Sequence, residues 1–229
     1  PWSRDAIARR GVLEVLGLGW PIGLQMSFEV WAFHAATLIA GRLGDVELAA
    51  HTIVLNVASV SFMVPLGVGM AATTRVGNLL GAGRPHAAQR AAWVALATGA
   101  GVMTVSAILF VTLRHVIPMP YTPDLDVRAL AAAVFPIAAA FQLFDGVQVV
   151  GSGVLRGMGS TRPAALFNLL GYYVLALPLA AWMTLRLDLG LYGIWWGLAI
   201  GLAAVASMLV SWIRWRGPSR VRPIVRPAV

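Results

Sequence analysis

Residues 129–154 read ALAAAVFPIAAAFQLFDGVQVVGSGV, a run of apolar and small residues with one charge inside it, Asp145. A helix rises about 1.5 Å per residue, so about 20 apolar residues cross the ~30 Å hydrocarbon core of a bilayer. This run is long enough to cross. Five more of the same kind lie near 16–40, 48–73, 91–113, 164–185 and 190–213. Pro65 with Gly67 and Gly69, Pro136 and Pro178 fall inside them, and these residue types are better tolerated in membrane helices than in soluble ones, often as bends.

Composition agrees. The 229 residues are 59% hydrophobic and 11% charged, with a mean hydropathy of +0.79. A soluble domain carries about 25% charged residues, and a water-facing surface cannot be built from so few. The expected fold class is therefore all-α integral membrane, with six transmembrane helices in one lobe spanning 1–215. A Pro/Arg-rich, disordered cytoplasmic tail follows over 216–229. The chain opens on Pro1, without a signal-peptide pattern, so the reading expects a natural start upstream.

The net charge of +8 would suit nucleic acid. The arginines, however, stand between apolar runs and form no stripe, so no nucleic-acid partner is expected. Arg4, Arg9, Arg10, Arg75, Arg84, Arg90, Arg156, Arg162, Arg214, Arg216, Arg220, Arg222 and Arg226 all fall on one side of the alternating spans. Cytoplasmic loops are enriched in Lys and Arg, so both ends of the chain are assigned to the cytoplasm of a multi-pass plasma-membrane protein. Cysteine is absent, which excludes disulfides, thiolate nucleophiles and Cys-ligated metal. Two Gly-rich stretches, Gly77–Pro85 and Arg156–Pro163, read as cytoplasmic turns. Neither has the strand and Lys-Ser/Thr of a phosphate loop.

Two acids sit inside spans: Glu29 in the first and Asp145 in the fourth. An ionised acid at mid-bilayer costs about 2.5–3.5 kcal/mol even on the mildest scale, so each is a candidate functional residue. At 100° per residue Gln142, Asp145, Gln148 and Ser152 share one face. Gln25 lies one turn from Glu29. Thr52, Asn56 and Ser59 align on the second span, and Asn168 and Tyr172 on the fifth. Such groups cannot face lipid unsatisfied, so Gln25, Asn56, Gln142, Gln148, Asn168 and Tyr172 are expected to line an interior cavity with the two acids. Oxygen-rich, low-dielectric surroundings of this kind suit uptake of a proton or of Na⁺, and the residues leave that choice open. His34 falls away from Glu29 on the helical wheel, and His51 starts span two. Both read as interface residues rather than proton relays. Trp195-Trp196 are candidates for an aromatic wall facing a flat cation.

These residues also resemble a family. Pro21-Ile22-Gly23-Leu24-Gln25 with Glu29, Leu48-Ala49-Ala50-His51 running to Asn56, and Phe62-Met63-Val64-Pro65-Leu66-Gly67 come first. Arg75-Val76-Gly77, Gly81-Ala82-Gly83-Arg84, Gln142 to Val150 and Leu155-Arg156-Gly157 follow in order. Over roughly 15–215 the chain resembles the C-terminal half of multidrug and toxic compound extrusion (MATE) transporters of the NorM-like branch. The resemblance implies a twelve-helix transporter of two lobes, with a missing N-terminal six-helix lobe as partner. It implies exchange of cationic, amphiphilic small molecules for Na⁺ or H⁺ and no other cofactor, with Glu29 and Asp145 binding the coupling ion. Some relatives carry Tyr where this chain has Phe141, one hydroxyl ligand fewer. The chain is expected to be a transporter, not an enzyme. The alternatives are a lipid-linked oligosaccharide flippase, which would want a basic cavity, and an intramembrane enzyme, which would want paired catalytic motifs.

Overall fold

The computed structural model describes residues 9–221. The expected cytoplasmic Arg4, Arg222 and Arg226, and residues 222–229 of the tail, lie outside them. All regular structure among the described residues is helical. The helices are α1 (Arg9–Gly41), α2 (Asp45–Gly81), α3 (Pro85–Thr112), α4 (Leu125–Gly157), α5 (Thr161–Leu169), α6 (Leu177–Leu185) and α7 (Gly190–Arg216). A π-helical stretch, Leu170–Ala176, joins α5 to α6, so Thr161–Leu185 forms one continuous rod.

Five of these rods are long and apolar enough to cross a membrane, those beginning at Asp45, Pro85, Leu125, Thr161 and Gly190. α1, with 33 residues, is long enough, but Gln25, Glu29 and His34 dilute its apolar content. Several helices outrun their apolar cores. α2 continues through Gly77 to Gly81, and α4 through Arg156 and Gly157. The two Gly-rich turns are therefore shorter than the sequence suggests and occupy only 82–84 and 158–160. Gly83 and Gly159 stand there at φ 69° and 70°, a left-handed conformation that glycine adopts without a Cβ penalty. Arg84 N–H then donates to Leu79 O, and Ser160 N–H to Leu155 O, each at 2.9 Å, closing both helix ends alike.

The π-helical stretch has a local cause. Pro178 has no N–H to offer the carbonyl four residues earlier, Val174, and its ring crowds that carbonyl. The turn just before it widens. Gly171 fills the widened turn, and a Cβ there would run into the Val205 side chain and the Gly201 carbonyl of α7. Pro65 and Pro136 stay inside α2 and α4, which remain helical through them.

α4 is the central rod, packing against α2, α3 and α7. Small residues let these backbones approach closely. Gly153 meets Gly69 of α2, Gly157 meets Thr73, and Gly146 meets Gly99 of α3. Thr73 Oγ1 donates across the α2–α4 crossing to Gly153 O at 2.8 Å. Close contact between small residues, with hydrogen bonds across it, is the usual cohesion of membrane helices, because lipid supplies no hydrophobic drive between them. α1 instead packs on α5 and α2.

The buried apolar side chains form two clusters. On α4 the first runs from Val127 to Phe141, and the second resumes at Val149. Beyond α7, the expected disordered tail begins as an ordered 3₁₀ turn, Pro218–Arg220. Gln89 of α3 holds it. Its Oε1 accepts from Ser219 N–H and Oγ at 3.2 and 3.3 Å, and its Nε2 donates to Ile213 O at 3.4 Å.

Candidate functional site

Periodicity turns both acids inward. On α1, Gln25, Glu29, Ala32, Ala36 and Ala40 fall on one stripe, and the three alanines are fully buried. The same stripe that seats α1 therefore directs Glu29 toward the interior. On α4, Gln142, Asp145, Gln148 and Ser152 are all buried. The first three fall in the break between the two apolar clusters, and Ser152 lies one turn farther, beside the second.

Between α1, α2 and α4 lies a cavity of about 600 Å³. Gln25, Glu29, Asp145 and Gln148 supply its polar surface, together with Ser59 and Thr37. Phe33, Phe62 and Phe141 supply an aromatic wall, with Leu55, Met63 and Leu66 beside them. Gln148 is the connector: its Nε2 donates to Asn168 Oδ1 at 2.9 Å and reaches Glu29 Oε2 at 3.5 Å. The second contact is at the limit of a hydrogen bond and is correspondingly weak. Asn168 Nδ2 donates to Ala164 O at 2.9 Å, which fixes its amide orientation. The Glu29 and Asp145 carboxyls are close enough to act on each other electrostatically, and both act on the Tyr172 hydroxyl.

The sequence candidates thus divide. Gln25, Glu29, Asp145 and Gln148 line one cavity. Gln142, Asn168 and Tyr172 are buried but lie behind its wall. Gln142 Oε1 accepts from Ser61 Oγ at 2.9 Å, tying α4 to α2. Asn56 lies apart: it is exposed and accepts from Tyr121 OH at 2.9 Å. The Trp195-Trp196 wall is not part of the cavity. Trp195 is fully buried, packed edge-on to Phe141 at 5.8 Å and tilted against His51 at 5.7 Å, while Trp196 is exposed. His51 is buried rather than interfacial, and its Nε2 shares a hydrogen bond with Thr37 Oγ1 at 3.1 Å.

A MatE family model matches residues 21–182, most of the chain, including both acids. The chain belongs to the MatE family. It is 46% identical over 205 residues to "Probable multidrug resistance protein NorM" of Burkholderia pseudomallei, covering 87% of this chain and 43% of that protein. It is 45% identical over 205 residues to "Multidrug resistance protein NorM" of Burkholderia vietnamiensis, covering 87% and 44%. Its fold superposes on the eukaryotic MATE transporter AtDTX14 with a TM-score of 0.89 at 25% identity, covering 96% of this chain and 49% of that one. The chain spans about half the length of the curated relatives it matches.

Within this MatE lobe the structure brings to the cavity two residues that the sequence reading assigned elsewhere. His34 lines the cavity although it lies off the Glu29 face, because the cavity extends along α1 past Thr37 to Leu38. Arg156, assigned by its charge to a cytoplasmic loop, is part of α4 and also lines the cavity. The signal was available: Arg156 follows Asp145 by eleven residues, which returns it to the same helical face.

Proposed function

We propose that this chain forms the ion-coupled lobe of a multidrug efflux antiporter. In this reading it exports cationic, amphiphilic small molecules in exchange for Na⁺ or H⁺, together with a second six-helix lobe. α1 crosses as well, giving the lobe six spans, both ends face the cytoplasm, and the membrane is the plasma membrane. The carrying observation is that Glu29 and Asp145, from two different helices, share one aromatic-walled cavity. Two acids in apolar surroundings attract a small cation, and aromatic faces attract an organic one.

The oxygen donors fit a hard ion. Besides the carboxylates, the buried Gln25 Oε1 and Gln148 Oε1 have no protein partner. Alternating access then follows from linkage. A cation that binds one orientation of the lobes better than the other shifts their equilibrium by that difference alone, and substrate favours the opposite orientation. The names of the NorM relatives support the multidrug reading.

The experiment is ethidium efflux from proteoliposomes holding the protein made from its full coding region, driven by an imposed Na⁺ or pH gradient. Glu29→Gln and Asp145→Asn should each abolish gradient-driven efflux while leaving the protein folded. Unimpaired efflux in both variants would remove the two acids from the mechanism.

A further inference from the structure

Arg156 is an arginine in the last turn of α4 that borders the carboxylate cavity. It lines that cavity with Glu29 and Asp145. It lies three turns beyond Asp145 on the same face, about 16 Å along the axis at helical rise. Ser152 lies between them on that face and is fully buried. The Arg156 Nε is buried without a hydrogen-bond partner, so packing has not used up this guanidinium. It is near enough to the Glu29 carboxylate to act on it electrostatically. An arginine that served only topology would point to water, where its charge is solvated at little cost.

We propose that Arg156 is a specificity-determining residue of the cation site, a built-in positive charge that limits the carboxylate pair to one monovalent cation and weakens its hold enough for release. This rests on the antiport reading above. The charges support it. With both carboxylates ionised, the Arg156 guanidinium brings the charge of the acids and arginine to −1. One Na⁺ or one H⁺ brings that to zero. Without Arg156 the cavity stands at −2, binds the first cation more tightly and has charge left for a second.

The test uses the protein from its full coding region in proteoliposomes, with ethidium efflux followed while NaCl is titrated at fixed pH and pH at fixed NaCl. The titration to which the unmodified protein responds is the one scored. Arg156→Gln should lower the half-saturating cation concentration on the order of tenfold, the scale of removing one unit charge at intermediate dielectric, and should slow the maximal rate. Arg156→Lys, which keeps the charge, should stay within about threefold of the unmodified protein. A purely structural arginine would instead reduce the maximal rate in both variants without moving the half-saturation point, and that result overturns the proposal. Ser59→Lys adds a charge on the exposed α2 wall of the same cavity and tests the idea from the opposite side. It should raise the half-saturating concentration, and an unchanged value overturns the proposal even if Arg156→Gln fails to fold. Glu29→Gln and Asp145→Asn keep the two hypotheses distinct. If they abolish the cation dependence while the Arg156 variants leave it unmoved, only the Arg156 role falls. If they leave it intact, the antiport reading falls too.

Discussion

Gly157→Ala should loosen the α2–α4 crossing and, through it, the cation site. A Cβ on Gly157 would stand 2.6 Å from the Thr73 carbonyl oxygen and 3.2 Å from the Thr73 carbonyl carbon and Cα. Even a close C···O approach is about 3.3 Å, so the helices must part by about 0.7 Å there. A gap of that size forfeits a quarter to a half of each dispersion contact along the crossing. It also stretches the 2.8 Å bond from Thr73 Oγ1 to Gly153 O toward its useful limit, and such bonds are worth about 0.6 kcal/mol in membrane proteins. Overpacking costs about 1–3 kcal/mol, the weakened bond adds up to about 0.6 kcal/mol, and the helix preference of Ala over Gly returns about 0.5–1 kcal/mol, which leaves a net loss of roughly 1–3 kcal/mol. Gly67, on α2, is the control, because nothing lies within 4 Å of the Cβ it would gain. Thermal unfolding of the two variants in detergent, followed by tryptophan fluorescence, should give Gly157→Ala a clearly lower Tm. Its efflux should also fall, since α4 carries Asp145. A Gly157→Ala protein as stable as Gly67→Ala would refute the close-packed crossing.

Three further outcomes follow from named contacts. Gln148→Leu strands the buried Asn168 Oδ1 and removes the amide beside Glu29, so it should cost about 1–3 kcal/mol by denaturation and raise the half-saturating cation concentration. Asn56→Ala removes an exposed bond to Tyr121, so stability by denaturation should drop by less than about 1.5 kcal/mol and efflux should be unchanged. Gln89→Leu cuts the bonds that hold Ser219 and Ile213 O, so limited proteolysis should find a new cleavage site near 217–221 while transport persists.

Hydropathy and length made the membrane helices legible because the bilayer sets a length that any span must meet. The inward turn of Glu29 and Asp145 was legible for a related reason: a 3.6-residue period aligns each acid with small or polar neighbours. Angle alone does not say what lies opposite a face. Asn56 shares a face with Ser59, yet it sits nearer the N-terminal end of α2, where Tyr121 of the 113–124 connection donates to its amide oxygen. Trp195 and Trp196 are adjacent, so their side chains diverge by about 100°, and one is buried in the core while the other is exposed. Arg156 was misread because counting charge at helix ends ignores where the helix stops. α4 continues to Gly157, and helical phase then governs the side chain instead of the loop.

α4 makes the whole lobe intelligible as a compromise within one helix. A rod that must hold an acid at mid-depth cannot also be apolar at that level, and the two hydrophobic clusters indeed separate between Phe141 and Val149. Cohesion across that gap has to come from contacts that do not depend on apolar side chains, and α4 supplies one there with Gly146 against Gly99 of α3, continued beyond the gap by Gly153 and Gly157 against α2. Backbone contact is short-ranged and stiff, so it fixes α4 to α2 and α3 while leaving α1, held by α5 and α2, on the far side of the cavity. Any change in the charge between Glu29 and Asp145 is therefore borne by the α1–α4 separation rather than by the core. Spin labels at Met26 on α1 and Met63 on α2, two exposed residues that both line the cavity, should therefore change separation when the cation is added. Labels at Gly67 on α2 and Gly101 on α3, where nothing crowds an added side chain, should not.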